Sequence, residues 1–169
     1  MLVLMAGLPG TGKSTLAREL ARHLSGTVLN KDEIRSVLFQ AGDIEYSTTQ
    51  DDFVMAVMLQ TAKYLFSKDP ARNIFLDGRP FSRNSQIERV KEFAATLDQP
   101  WRILECVCSD ESARERLQSS ADHPAANRNF DLYLEVKSRF EPIPPPKTVI
   151  DTDIPLEACL NVALAALQS

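Results

Sequence analysis

The sequence predicts an α/β domain, a parallel sheet with helices on both faces. Three observations carry this. Short apolar runs alternate with segments of helical periodicity along the whole chain. The first apolar run passes directly into a glycine-rich loop that opens a helix. No run approaches the ~20 apolar residues that cross a bilayer, so the apolar runs belong to a core and no membrane partner is expected.

The elements follow in order. Leu2 to Ala6 is uniformly apolar, as a strand buried on both faces requires. Lys13 to Leu24 is a helix with Leu16, Ala17, Leu20, Ala21 and Leu24 at helical spacing, and Gly26 ends it. Thr27 to Asn30 is the second strand. Asp32 to Gln40 is helical, with Ile34, Val37 and Leu38 on one side. Gly42 breaks the pattern. Ser47 to Phe66 is a longer helix carrying Phe53, Val54, Val57, Met58, Leu65 and Phe66.

Asn73 to Leu76 is the third strand, and it ends at Asp77-Gly78. Ser85 to Leu97 is a helix and Trp101 to Cys108 the fourth strand. Asp110 to Leu117 is helical with Asp110 as its cap, and Ala121 to Asn129 is polar and irregular. Asp131 to Phe140 is helical again. Pro142 and Pro144 to Pro146 make an extended connector. Thr148 to Ile150 is the fifth strand, and Leu156 to Leu167 the closing helix.

The 169 residues suit one domain, and 44% apolar residues supply a core without disulfides. The formal net charge is -4, a poor platform for long nucleic acids, whose phosphates demand basic contacts. Cys106, Cys108 and Cys159 cannot all pair and match no zinc spacing. They read as buried, inert thiols, with Cys106 and Cys108 on one face of a strand. Free thiols fit a reducing, cytoplasmic setting.

Gly7 to Thr15 reads GLPGTGKST and matches G-x-x-x-x-G-K-[ST] at Gly7, Gly12, Lys13 and Ser14. Gly7, Gly10 and Gly12 let the backbone wrap a phosphate chain, Leu8, Pro9 and Thr11 complete the loop, and the N–H groups of all but Pro9 line an anion nest. The helix behind adds its positive end. Lys13 is expected on the β- and γ-phosphates. Ser14 is expected on Mg2+, with Thr15 beside it. The bound nucleotide is ATP or GTP. No Asn/Thr-Lys-x-Asp guanine signature is present, so ATP is expected.

Asp32 and Arg35, three apart at the start of a helix after the second strand, share a side. A kinase needs a carboxylate there to take a proton from the acceptor hydroxyl, and gains from a cation. A plain helix cap at Asp32 is the competing reading. Asp77 at a strand tip suits water-mediated Mg2+ contact; an acceptor contact or a simple Asp-Gly turn are the alternatives. Arg79 and Ser82 beyond it are candidate acceptor contacts. Phe39, Tyr46 and Phe53 are expected in the core rather than stacked on a ligand.

With these motifs in place the chain resembles the small P-loop kinases. That group includes adenylate kinase-like enzymes, gluconate kinase, chloramphenicol phosphotransferase and the kinase domain of phage polynucleotide kinase. It resembles most the single-domain, AAA-type ATPase-like kinases related to polynucleotide kinase and zeta toxin. The resemblance spans nearly the whole chain, and the P-loop is its specific part. It implies a three-layer fold, a sheet in the order 2-3-1-4-5 and a mobile lid, here about residues 111–140.

It further implies Asp32 as general base and Arg35 as acceptor or phosphate contact. Arg128 is the implied lid arginine, Arg114 or Arg116 the adenine-stacking residue, and Thr152 to Pro155 the edge of the purine pocket. Relatives carry a further lid arginine where this chain has Ser119 and Ser120. The function implied is transfer of the ATP γ-phosphoryl group to a hydroxyl of a small molecule. A nucleoside or 5′-hydroxyl oligonucleotide is the alternative acceptor. An ATPase switch working through a protein partner, or a zeta-like toxin, are the alternatives of other kinds.

Overall fold

β1 (Leu2–Ala6) has no exposed residue, and it is the centre of the molecule. It pairs in parallel with β3 (Ile74–Asp77) on one side and β4 (Trp101–Val107) on the other. β2 (Thr27–Asn30) completes one edge beside β3, and β5 (Thr148–Asp151) the other beside β4. The strand order is β2-β3-β1-β4-β5, as the resemblance implies. The computed structural model describes residues 1–119 and 129–168.

Seven helices stand among the described residues: α1 (Lys13–His23), α2 (Lys31–Leu38), α3 (Thr48–Lys68), α4 (Asn84–Thr96), α5 (Asp110–Gln118), α6 (Phe130–Ser138) and α7 (Leu156–Gln168). Alternating residues of β1 divide the core. Val3 and Met5 join Leu16 and Leu20 of α1 and Leu160 of α7. Leu2 and Leu4 join Val54 and Met58 of α3 and Val90 of α4. Each such buried aliphatic side chain contributes roughly 1.5–3 kcal/mol, so both helix layers are pinned to the sheet. A third, small cluster of Ala113, Leu117 and Tyr133 ties α5 to α6.

The chain leaves β1 toward one side of the sheet and returns to the other for β4. The crevice at that reversal lies at the carboxyl ends of the strands, where open α/β sheets bind ligands.

Several local expectations differ in detail. Ser25, not Gly26, takes the left-handed conformation after α1, with φ 49°. Gly26 is needed for close approach, because a Cβ there would lie 2.8 Å from the Asn73 carbonyl. Asn30 caps α2 through bonds from the amides of Asp32 and Glu33, so the helix starts earlier and Asp32 is not its cap. Ser109, not Asp110, caps α5. Val37 is 85% exposed and Leu38 also lies open. The buried face of α2 is taken by Lys31 and Arg35 instead, an inversion of the apolar pattern that marks a site.

Candidate active site

The phosphate loop joins β1 to α1. Gly7 has φ 127°, and a Cβ there would sit 2.2 Å from the Cys106 carbonyl oxygen, so no other residue fits. Gly12 precedes α1 in the left-handed region and offers no side-chain cap. The amides of α2, α3, α5 and α6 are capped by Asn30, Ser47, Ser109 and Asn129. α1 thus presents its first amides to the loop, the arrangement that holds an anion.

Lys13 is buried, and its ammonium donates to the Leu8 carbonyl at 2.6 Å across the loop. Thr11 Oγ1 donates to the same carbonyl at 2.8 Å. Ser14 borders the cavity described below, while Thr15 is exposed.

The far wall of the loop is closed by Arg116 and Thr152. Arg116 donates to the Thr152 carbonyl at 2.7 Å, to its hydroxyl at 3.0 Å and to the Gly10 carbonyl at 3.5 Å. Thr152 donates in turn toward the Thr11 carbonyl at 3.1 Å. Side chains 36 positions apart in sequence therefore clasp the phosphate loop from α5 and from the turn after β5. Arg114 lies over the Phe130 ring at 3.9 Å, which commits it to α6. Arg128 lies outside the described residues.

On the other side, register pairs Asn30 with Asp77 at the carboxyl ends of β2 and β3. Asn30 Nδ2 donates to Asp77 Oδ2 at 2.6 Å. Asp77 is 1% exposed, and its Oδ1 is buried with no hydrogen-bond partner among the described residues. A buried carboxylate oxygen left open beside a phosphate loop fits a hydrated Mg2+. No cluster of three or more His, Cys, Asp or Glu among the described residues is arranged to hold a metal by protein alone.

Beyond Asp77 lies a buried ionic quartet. Arg35, 2% exposed, donates to Asp32 through Nη1 at 2.8 Å and to Asp51 through Nη2. Lys31 Nζ donates to both Asp51 oxygens at 2.8 Å and lies 3.9 Å from Asp32. Tyr46 stacks on the Arg35 guanidinium at 5.2 Å with φ 48°. A left-handed tyrosine costs of order 1–3 kcal/mol, so packing on the quartet holds it there.

P-loop and quartet face a common cavity of about 210 Å³. Lys13, Ser14, Asp32, Arg35, Arg79 and Ser82 all border it, so the predicted donor and acceptor residues come together. A shallower groove of about 870 Å³ lies at the opposite, amino-terminal edge of β4 and β5, beside Trp101 and Lys147, away from this chemistry.

Sequence reasoning missed Asp51, Lys31, Gln86 and Arg139, which also line the site or its quartet. Asp51 reads as an ordinary acid in a first helical turn, and only tertiary packing joins it to Arg35. Tyr46 borders the cavity and Phe53 is 55% exposed, so neither is a core residue; Phe39 alone packs on the core.

None of the three thiols is poised as a thiolate. Burial pushes Cys106 up to about 12 and also raises Cys108 and Cys159. β4 stops at Val107, so Cys108 packs with Leu8 and α5 rather than sharing the face of Cys106. Among the described residues no helix is long and apolar enough to cross a membrane.

No curated protein matches the chain. Solved structures match it over almost its whole length. A protein of Chloroflexus aurantiacus provisionally assigned as a kinase shares 24% identity over 99% of this chain and 98% of its own, with a TM-score of 0.76. The APS kinase of Mycobacterium tuberculosis in complex with AMPPNP and APS shares 16% identity, 99% and 97% coverage and a TM-score of 0.74. A gluconokinase of Sinorhizobium meliloti shares 15% identity, 99% and 90% coverage and a TM-score of 0.72. These likenesses establish a shared P-loop fold. Residues 2–143 match the model of the AAA domain family AAA_33, and the chain belongs to that family.

Proposed function

We propose that this chain is an ATP-dependent kinase that transfers the γ-phosphoryl group to a hydroxyl of a small molecule. The observation that carries the reading is the cavity. A phosphate loop opens onto a pocket of about 210 Å³ walled by the buried Arg35 and the partly exposed Asp32. Hydrolysis of ATP needs a water and no such pocket. A second substrate needs one.

Lys13 and the amides from Gly10 to Thr15 hold the donor phosphates. Lys13 exchanges its bond to the Leu8 carbonyl for phosphate oxygens. Arg116 and Thr152 fix the edge where the base docks. Ser14 and Asp77 are the residues to hold Mg2+, which when bound supplies charge neutralisation between β- and γ-phosphates. Asp32 orients the acceptor hydroxyl and takes its proton. Arg35 sets the Asp32 carboxylate and balances charge as the phosphoryl group moves. Arg128 is the proposed lid arginine, within a lid of about residues 111–140, and residues 1–169 act as one kinase unit. The names of two fold neighbours, a gluconokinase and an APS kinase bound to AMPPNP and APS, support small acceptors.

The test is ATP consumption with Mg2+, alone and against nucleosides, sugars, aminoglycosides, sugar nucleotides and 5′-hydroxyl oligonucleotides. Stimulation by one small alcohol, with a phosphorylated product by mass, is expected. Transfer only to the oligonucleotide would make it a polynucleotide kinase. Steady hydrolysis blind to every acceptor would replace the kinase with an ATPase switch.

A further inference from the structure

We propose that the acceptor is a compact anion, an alcohol carrying a carboxylate or phosphate group, seated by Arg79, Arg83 and Arg139. The inference rests on the kinase reading and names the substrate class of the same cavity. Six basic side chains border this space (Lys13, Lys31, Arg35, Arg79, Arg83 and Arg139) against two carboxylates, Asp32 and Asp51. That excess stands in a chain whose formal net charge is -4, so it is concentrated at the site.

The donor accounts for Lys13. Lys31 and Arg35 are matched by Asp32 and Asp51 within the quartet. Three further arginines border it, each from a different segment: Arg79, paired with Asp52, from the loop after β3, Arg83 preceding α4 and Arg139 following α6. Arg79 is 5% exposed, and its Nη2 donates to Asp52 at 2.8 Å. Its Nε is buried with no hydrogen-bond partner among the described residues.

A buried guanidinium with an unfilled donor is costly unless an oxyanion completes it. Arg83 has no carboxylate partner among the described residues, and the Arg139 pair with Glu135 is solvent-exposed and weak. Gln86 borders the same space, and its Oε1 is buried without a partner among the described residues, an acceptor for a substrate hydroxyl. Anion on one side and hydroxyl on the other describe a hydroxy acid or a sugar phosphate. The cavity volume of about 210 Å³ falls below the ~300–1,000 Å³ of drug-sized sites, which keeps the molecule small.

The experiment uses matched pairs: glycerate and glycerol, gluconate and glucitol, glucose 6-phosphate and glucose, plus an aminoglycoside. Transfer from ATP is measured by product mass. Affinity is measured by calorimetry on the chain saturated with AMP-PNP and Mg2+. Ionised members are expected to be preferred about tenfold or more, and the carboxylate and phosphate arms separate the two chemistries. Arg83→Gln and Arg139→Gln, both at exposed positions, are expected to raise the acceptor KM on the order of tenfold with the ATP KM unmoved. Better transfer to a neutral or cationic alcohol keeps the kinase and overturns the anion, as does an acceptor KM that neither variant shifts. ATP hydrolysis indifferent to every compound overturns the kinase and this inference together.

Discussion

Arg35 of α2 and Asp51 of α3 are paired across the floor of the site, the guanidinium buried and the carboxylate about a quarter exposed. Truncating one partner of such a pair strands the other in a medium that cannot solvate it. Asp51→Ala is expected to cost about 3 kcal/mol. That lowers the melting temperature by roughly 6–12 °C for a domain of this size. The double variant Asp51→Leu with Arg35→Met is expected to recover most of the stability and none of the phosphoryl transfer. A single variant as stable as the parent would dissolve the quartet as a structural unit.

Asp32→Asn removes the proposed proton acceptor while keeping the shape of the side chain. Turnover is expected to fall on the order of 10²–10⁴-fold, with ATP affinity unchanged in an equilibrium titration. Equal turnover would transfer the role to another group, Asp77 first.

Arg116→Ala cuts the clasp between α5, Thr152 and Gly10. The loss is expected to weaken ATP binding on the order of tenfold and to leave the acceptor KM alone. A shift in the acceptor KM without one in ATP would move Arg116 to the other side of the site.

The clasp also shows what sequence carries. The loop from Gly7 to Thr15 announces itself because backbone geometry forces a contiguous spelling, glycines where a Cβ collides or φ is positive. The alternation of strands and helices was legible for the same reason, since it is written locally. Asp51 and Arg139 were not, because each reads in the sequence as an unremarkable charged residue at a helix end. Val37 and Leu38 misled, because α2 obeys the chemistry of the cavity before the pattern of the core.

Cys106 gives a pH prediction. Its folded pKa of about 12 stands above the ordinary 9.0, because burial disfavours the thiolate. The unfolded chain loses that proton first, so the thiol's contribution is whole below pH 9.0. It declines as the pH rises from about 9 to about 12. Urea unfolding in that window is expected to show a smaller alkaline loss for Cys106→Ala than for the parent, measured relative to each protein at pH 7. The native parent is expected to resist iodoacetamide at Cys106 at pH 8 and to react once unfolded. Rapid native alkylation would contradict the burial.

The donor loop occupies one unbroken stretch, Gly7 to Thr15, whereas the cavity beyond it is assembled from α2, the start of α3, the loop after β3, and α6. Heredity can therefore treat the two halves differently. On the proposed reading, a change in one of the distant segments is expected to alter the acceptor before it alters the nucleotide. Loop swaps between members of this fold offer a route to new acceptors that never touches the engine.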